Sequence, residues 1–237
     1  MKNMGRTKED ECVVVRMKGG LGNQLFQYSF AKYLESNGLN VKLDYSACYR
    51  SAVAHGKPRI KELMISLEEA TSEEIKKVCM FKHEYRFSTL KYRTSVFFEK
   101  TFNKFYYFEK GSEYHEFDTL VNKKYFDGYW QNWRYPTAVL DVLLEELKPI
   151  SEFGIKTKHV MSMILEQESV FVGIRKGDYA SSKANIKKYG SFSNDYYLRA
   201  MSIIRNKRPN AVFYIFTNDV DWCKRNLKFG DFNVVFR

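Results

Sequence analysis

The sequence predicts an α/β fold with parallel sheets, arranged as two Rossmann-like domains. Short runs of β-branched and aromatic residues alternate along the chain with longer stretches of helical periodicity. Strands that alternate with helices in this way pair in parallel, because each helix carries the chain back across the sheet. The 237 residues are 44% hydrophobic, which is enough to bury a core in one large domain or two small ones.

The first βαβ unit is predicted near the N-terminus. Residues 12–17 form a short β-branched run, and residues 19–22 follow as a glycine-rich loop. A helix is predicted from residue 23 to about residue 37, and residues 41–45 resume the alternation of a strand. Gly38 suits the end of the helix, so the connection predicts two parallel neighbouring strands.

The middle of the chain gives weaker signals, and the domain boundary is predicted after it. Residues 72–80 have the pattern of an amphipathic helix, whereas the very aromatic segment 92–108 is left unassigned. A strand at 126–130 and a helix at 136–147 precede a break at Pro149. The predicted domains are therefore residues 1–149 and residues 150–237.

The second domain repeats the alternation of helices and strands, as a second Rossmann-like half would. Its last predicted strand has no helix after it, so this domain is expected to be incomplete. The predicted elements are a helix at 152–168, a strand at 170–174, a helix at 194–206, a strand at 211–216, a helix at 220–227 and a strand at 232–236.

Composition restricts the location and the partners. No stretch has the roughly 18 apolar residues of a membrane span, and the first ten residues are too polar for a signal peptide, so a cytoplasmic protein is expected. The four cysteines lie far apart and are predicted to be reduced packing residues. The net charge of +11 suits nucleic acid, an anionic membrane surface or phosphorylated small molecules equally well.

The glycine-rich loop between the first strand and the first helix is the first candidate site. Gly20 and Gly22 would let a ligand approach backbone N–H groups at the start of the helix. The alternative is a tight turn in which Asn23 caps the helix. A dinucleotide fingerprint is a weak hypothesis, because Leu25 stands where that motif requires Gly or Ala.

Two further motifs follow strands of the second domain, where ligands of open α/β sheets bind. Arg175, Lys176 and Asp178 follow the strand at 170–174, and Arg175 is suited to bidentate contact with a phosphate. The alternative is a surface turn with an ion pair between Arg175 and Asp178. Asp219 follows the next strand and could accept hydrogen bonds from a guanine base.

That Asp219 motif also has a structural alternative, in which Thr217 or Asn218 caps the following helix. The fourth motif spans residues 128–133, where Tyr129 could stack on a sugar and Gln131 could bond its hydroxyls. Aromatic packing is the alternative for this segment.

The four histidines lack metal-ligand spacing and no Asp-x-Asp element is present, which predicts metal-independent chemistry.

In combination, these motifs resemble the alpha-1,2-fucosyltransferase family, glycosyltransferase family 11, of the bacterial type. The resemblance is carried by the order and separation of four segments and covers most of the chain. The segments are Gly19-Gly20-Leu21-Gly22-Asn23-Gln24-Leu25-Phe26-Gln27-Tyr28, Gly128-Tyr129-Trp130-Gln131, Arg175-Lys176-Gly177-Asp178-Tyr179, and Phe216-Thr217-Asn218-Asp219 with Trp222.

The resemblance implies a GT-B architecture, with two Rossmann-like domains that face a cleft. It implies that fucose moves from GDP-fucose, with inversion, to the 2-hydroxyl of a terminal galactoside, with a lipid-linked precursor of a surface polysaccharide as one acceptor. Arg175 would bind the β-phosphate and Asp219 would help to recognise the base. Asn23 and its glycine loop would close over the reacting centre. The general base stays unassigned between Asp44 and Asp178.

The sequence departs from the family pattern in several places. Many members have a histidine where Gly173 stands and a second arginine where Lys176 stands, and the family's final segment is missing. A truncated, inactive remnant that binds a GDP-sugar is therefore one alternative, and a basic nucleic-acid-binding protein is a remote second. The expected enzyme needs no cofactor or metal, and its basic surface would suit peripheral contact with the inner membrane.

Overall fold

The computed structural model describes residues 12–49, 57–81, 90–175 and 192–236. The chain divides into two compact units, Met1–Glu152 and Phe153–Arg237, whereas the sequence prediction placed the boundary after residue 149. Within the described residues each unit contains a parallel sheet with helices, which confirms the predicted α/β class.

The sheet of the first unit has β1 at an inner position, next to β4. The strand order is β2-β1-β4-β3, and all three pairings are parallel. All four β1 residues are buried, as expected of a strand covered on both faces. The strands are β1 (Val13–Arg16), β2 (Val41–Asp44), β3 (Tyr106–Phe108) and β4 (Tyr125–Asp127).

Helix α1 supplies the main packing surface against this sheet. Its Phe30 ring lies parallel to the Trp130 ring, with 3.8 Å between the ring centres. Both side chains are fully buried. The helices of the unit are α1 (Leu21–Ser36), α2 (Ser46–Tyr49), α3 (Ser72–Val78), α4 (Leu90–Phe102), α5 (Phe117–Leu120), α6 (Arg134–Ala138) and α7 (Leu140–Glu146), and a 3-10 turn spans Arg59–Glu62.

Three local predictions for this unit were wrong or incomplete. The helix predicted at 136–147 is two helices, because the backbone at Val139 leaves the helical region (φ −130°, ψ 27°). The strand predicted at 126–130 ends at Asp127, and Trp130, inside the predicted range, has a positive φ of 55° that an extended strand does not allow. The unassigned aromatic segment contains α4 and β3.

The second unit has a parallel sheet of order β5-β6-β7. Its core is formed by Phe213 and Ile215 of β6, packed with Met201 and Cys223 from the helices. Ser193 caps the first of these helices by accepting a hydrogen bond from the Tyr196 amide. The elements are α8 (Ile155–Leu165), β5 (Ser169–Ile174), α9 (Asn194–Lys207), β6 (Val212–Thr217), α10 (Val220–Asn226) and β7 (Asn233–Phe236).

The cysteines behave as the sequence predicted. Cys12, Cys48, Cys79 and Cys223 are buried and form no disulfide. Burial raises the pKa of the Cys48 thiol to about 12, so this side chain packs as a neutral group. In the part of the chain that the structure describes, no helix has both the length and the apolar character that a membrane crossing requires.

Candidate functional site

The carboxyl ends of β1 and β4 bring two sequence motifs together. The glycine loop follows β1, and residues 128–133 follow β4, while Val15 pairs with Phe126 between the two strands. The chain leaves β1 towards β2 on one side, whereas β3 and β4 lie on the other side. Such a reversal of strand order opens a crevice at the carboxyl edge of a parallel sheet.

A buried ionic cluster lies under this crevice. Asp127 Oδ2 accepts hydrogen bonds from Arg16 Nη1 and from the Tyr106 hydroxyl, each at 2.7 Å. Lys18 Nζ lies 2.5 Å from Asp127 Oδ1. Burial alone would raise the pKa of Asp127, but Arg16 and Lys18 outweigh burial and hold this pKa well below its usual range. Asp127 is therefore ionised at any physiological pH.

The cluster also supports an exposed aromatic ring. Lys18 Nζ lies 4.7 Å from the centre of the Tyr129 ring, within the range of a cation–π contact. The Tyr129 side chain is 44% exposed, so part of this aromatic surface is open to solvent. Since Lys18 is held by Asp127, the buried ion pair indirectly fixes the platform that the ring offers.

The glycine loop is built differently from the capped turn that sequence reasoning weighed. Helix α1 begins at Leu21, its N-cap is Gly20, and no side chain caps it. Asn23 is therefore not the cap. Gly19 has a φ of +78°, a conformation that is strained for any residue with a Cβ, and a Cβ there would also force the Asn23 side chain to shift. A Cβ at Gly22 would meet open space.

Asn23 instead contacts the fourth motif. Gln131 Nε2 donates a hydrogen bond of 2.7 Å to Asn23 Oδ1. Gln131 is exposed and Asn23 is partly exposed. Two amide side chains and the Tyr129 ring thus stand at the carboxyl edge of the same sheet. Both residues keep amide hydrogen-bonding groups for a polar ligand, because each amide has several donor and acceptor positions.

Two buried glutamines hold the glycine loop, and the sequence motif contained both without assigning a role to either. Gln27 accepts from the Lys18 amide at 2.9 Å and donates to the Gly128 carbonyl at 3.2 Å, so it joins the loops after β1 and β4. Gln24 donates to the carbonyl oxygens of Gly19 and Lys57. Their spacing of three residues in a helix was the available signal, since it places both on one face.

In the second unit, Arg175 is exposed and directly follows β5. Lys176 and Asp178 lie outside the described residues. Within β5, a Cβ at Gly173 would stand 3.1 Å from the Phe171 ring, so that ring occupies part of the space a side chain there would need. The Phe171 side chain is 71% exposed and can move aside.

Asp219 is itself the N-cap of α10, so the alternative that Thr217 or Asn218 caps this helix was wrong. Its Oδ1 accepts a hydrogen bond of 2.9 Å from the Trp222 amide. The Asp219 amide in turn donates to Thr217 Oγ1 at 3.1 Å. The cap uses Oδ1, so the second carboxylate oxygen can accept hydrogen bonds from a base.

Asp44, one of the two candidates for the general base, is buried and hydrogen-bonded within the fold. Asp44 is 1% exposed, and its carboxylate accepts from the Tyr125 hydroxyl at 2.6 Å and from the Ser46 amide at 2.8 Å. A buried carboxylate engaged in this way anchors the end of β2 and offers almost no exposed surface. Asp178, the other candidate, lies outside the described residues.

The described residues contain no group of three or more His, Cys, Asp or Glu side chains that could hold a metal ion. Metal independence stays a prediction, because the loop after Arg175 is not among those residues.

Comparison with known proteins defines the class. The chain matches Glycosyl transferase family 11 over residues 12–237 and belongs to this family. It is 31% identical to an alpha-1,2-colitosyltransferase of Escherichia coli over 215 residues, which are 90% of this chain and 71% of the relative. The resemblance found in the four sequence motifs is thereby confirmed, and the chain is a glycosyltransferase.

Two more distant relatives agree with this assignment. The O-antigen biosynthesis glycosyltransferase WbnK of Escherichia coli is 23% identical over 88% of this chain and 73% of its own length. The galactoside alpha-(1,2)-fucosyltransferase 2 of Rattus norvegicus is 32% identical over 30% of this chain and 20% of its own length. No solved structure matches the chain.

Proposed function

We propose that this glycosyltransferase moves fucose from GDP-fucose to the 2-hydroxyl of a terminal galactoside, with inversion at the fucose anomeric carbon. The observation that carries the proposal is the hydrogen bond between Gln131 and Asn23 beside the exposed Tyr129 ring. Amide groups next to an aromatic platform have the composition of a carbohydrate site. Two relatives are named for transfer with alpha-1,2 linkage, which supports the regiochemistry.

The acceptor is proposed to bind the first unit. An apolar face of the galactoside would stack on the Tyr129 ring, whose position is fixed by Lys18. Gln131 and Asn23 would bond its hydroxyls, and Asn23 with Gly20 and Gly22 would close over the reacting centre. This arrangement assigns the acceptor to the crevice between β1 and β4.

The donor is proposed to bind the second unit. Ile174 of β5 pairs with Thr217 of β6, so the loops after both strands leave the same edge of the sheet. Arg175 and Asp219 belong to these two loops. Arg175 would bind the β-phosphate with Lys176 and Asp178 nearby, while Asp219 would accept hydrogen bonds from guanine. The family resemblance adds the proposal of a GT-B arrangement, in which donor and acceptor meet in a cleft.

In the reaction, the bond between the acceptor O2 and the fucose C1 forms as the bond from C1 to the GDP oxygen breaks. Negative charge accumulates on the leaving diphosphate, where the Arg175 guanidinium would stabilise it. The acceptor hydroxyl proton leaves to a base that we do not assign. No cofactor or metal ion is part of this proposal. Family membership favours the transferase over the alternative of a nucleic-acid-binding protein.

The donor site is tested by calorimetric titration of GDP with EDTA present. We expect the wild-type chain to bind GDP and Arg175→Ala to bind at least tenfold more weakly, as loss of a charged hydrogen bond predicts. Arg208→Ala is the matched control, because this arginine is also exposed in the second unit but lies, with its partner Glu168, at the edge of the sheet where β5 and β6 begin. Equal affinities of Arg175→Ala and wild type would refute the phosphate assignment.

The reaction is tested with two donors, because the relatives are named for different sugars. The chain is incubated with the GDP derivatives of fucose or colitose and a β-galactoside, and the product linkage is determined by NMR. Transfer of fucose to the 2-hydroxyl supports the proposal. A preference for colitose would show that the donor sugar is colitose and not fucose. Binding of GDP without any transfer would support the alternative of an inactive protein that binds a GDP-sugar.

We further propose a lipid-linked acceptor and peripheral contact with an anionic membrane. The chain carries a net charge of +11. Helix α4 exposes an aromatic face with Phe97, Phe98 and Phe102, whose side chains are 62%, 43% and 64% exposed, and Lys100 of the same helix is exposed as well. Exposed aromatic residues beside cations are typical of a surface that inserts shallowly into an anionic bilayer.

A further inference from the structure

Glu109 lies directly beside the loop that carries Tyr129 and Gln131. It follows the last residue of β3, and its amide donates to the Asp127 carbonyl at 3.0 Å, which extends the pairing of β3 with β4. The Glu109 side chain is buried, although the residue is charged and lies outside the ionic cluster of Asp127. A buried carboxylate is retained only where it is hydrogen-bonded, so its partners indicate what it does.

The partners of this carboxylate are two consecutive backbone amides. Oε2 accepts from the Tyr129 amide at 2.6 Å and from the Trp130 amide at 3.0 Å, and Oε1 lies 3.1 Å from the Trp130 amide. Hydrogen bonds to an ionised acceptor are about twice as strong as neutral ones. The carboxylate therefore fixes the path of the main chain at both residues.

That path is strained. Trp130 has a φ of 55°, the left-handed region that costs a residue with a Cβ about 1–2 kcal/mol. Gly128 cannot be replaced without collision, since a Cβ there would lie 2.6 Å from Glu109 Cβ. Strained backbone of this kind persists only where surrounding contacts over-determine it, and it is concentrated at functional sites.

The strained turn places the side chain of Trp130 in the core and the side chains of its two neighbours in solvent. Trp130 is fully buried and stacks on Phe30, whereas Tyr129 and Gln131 are exposed. Gln131 then reaches Asn23 across the crevice. The conformation held by Glu109 is thus the one that presents both proposed acceptor-binding side chains to solvent.

We propose that Glu109 is a positioning residue for acceptor binding, which acts through the backbone of Tyr129 and Trp130. This inference rests on the proposed function for its substrate, a glycan acceptor, and on the structure alone for the hydrogen bonds. Glu109 holds the loop from within the fold, so it sets how Tyr129 and Gln131 meet the acceptor and leaves the donor site unaffected.

The test is Glu109→Gln in the full chain, which keeps the side-chain volume but replaces one accepting oxygen with an amide donor. We expect the acceptor KM to rise about tenfold, as expected for loss of a charged hydrogen bond, with kcat reduced far less. The dissociation constant of GDP should stay within about twofold of the wild-type value, because the donor site lies in the other unit.

Glu146→Gln is the matched control. This glutamate is also a partly buried carboxylate of the first unit, and it accepts hydrogen bonds from Tyr28, Ser66 and Lys32. A merely structural effect would raise the acceptor KM in both variants as their stability falls. An increase confined to Glu109→Gln supports the positioning role, whereas equal increases, or none, overturn it.

A double-mutant cycle tests whether Glu109 acts through Gln131. If it does, Gln131→Ala and Glu109→Gln should raise the acceptor KM together by much less than the product of their separate effects. Multiplicative effects would overturn that route.

Hydrogen exchange at residues 128–131 gives a readout that needs no activity: Glu109→Gln should accelerate it and Glu146→Gln should not. If the wild type transfers no sugar, the proposed function fails, and the acceptor role of Glu109 fails with it. Faster hydrogen exchange at residues 128–131 in Glu109→Gln would then still show that Glu109 holds this loop.

Discussion

Asp127 is the centre of a buried ionic cluster in the first unit, where it pairs with two cations from the end of β1 and the loop that follows. Arg16 and Lys18 both contact its carboxylate, and all three residues are buried. Desolvation of these groups is compensated only while every partner is present. The charge of one side chain therefore determines whether the platform formed by Lys18 and Tyr129 persists.

We expect Asp127→Asn to lower the free energy of unfolding by about 3–5 kcal/mol, since it removes the carboxylate that pairs with two buried cations. Urea denaturation measures the loss. Glu145→Gln is the control, because Glu145 forms an exposed pair with Lys148 and its removal should cost less than about 1 kcal/mol. A similar loss of unfolding free energy in both variants would show that the buried cluster stabilises the fold no more than an exposed ion pair does.

Individual residues also show the limits of reasoning from sequence. Tyr129, Gln131 and Asn23 were chosen by residue type and motif, and the structure places Asn23 and Gln131 in contact. Glu109 carries no such signal, since it is one of many charged residues and its partners are backbone amides. No motif encodes those partners, because they come from the pairing of β3 with β4.

At the scale of elements, carboxylate side chains make capping hydrogen bonds at the N-termini of two helices. Helix α10 is capped by Asp219, the same residue proposed to recognise guanine. Helix α3 begins with a reciprocal capping box between Thr71 and Glu74. Each of these carboxylates therefore has a structural role that a functional experiment must separate from any other.

Asp219→Asn separates the two roles of that residue. Asn caps helices about as well as Asp, so the melting temperature should change little. A carboxylate can accept from both the N1–H and the amino group of guanine, whereas an amide offers one acceptor. We expect the dissociation constant for GDP to rise about tenfold, measured by calorimetry. If Asp219→Asn binds GDP as tightly as the wild type, and Asp219→Ala lowers the melting temperature, then Asp219 caps the helix and does not recognise guanine.

The capping box of α3 predicts a pH dependence of stability. Hydrogen bonds from Lys42 and then from the Thr71 amide lower the pKa of Glu74 to about 2. Because the folded-state pKa lies below the unfolded one, this contribution is fully present above pH of about 4.5. It is lost as the pH falls towards 2.

Glu74→Gln should therefore be less stable than the wild type at pH 6, and the difference should shrink as the pH falls from about 4.5. Urea denaturation at a series of pH values measures it. The wild type loses stability through other carboxylates as well, so the difference between the two proteins is the relevant quantity. A difference that stays constant with pH would contradict the assignment.

On the scale of the whole molecule, charge and exposed aromatic surface together predict membrane contact. The net charge of +11 would provide long-range attraction to anionic lipid, and the exposed α4 aromatic face would provide apolar contact. Neither feature alone would distinguish a bilayer from another anionic partner. Their combination on one chain makes the prediction specific.

We expect the protein to co-sediment with vesicles that contain anionic phospholipid but not with purely zwitterionic vesicles. Replacement of Phe97 and Phe98 with serine should weaken this binding about tenfold or more, since each buried apolar side chain contributes roughly 1.5–3 kcal/mol. Phe171→Ser is the control, because Phe171 is exposed on a different unit. Binding unaffected by the double substitution, or self-association that it abolishes, would refute the membrane surface.

The sequence by itself determined the parallel α/β class, the buried cysteines without disulfides and the glycosyltransferase family. Each of these depends on local periodicity or on a motif that is continuous in the chain. The tertiary structure alone decided that Asp127 holds Arg16 and Lys18, that Asn23 bonds Gln131 and does not cap its helix, and that Glu109 fixes the turn at Trp130. These contacts join residues about twenty to over a hundred positions apart. Their partners are set by strand order, which no local pattern contains.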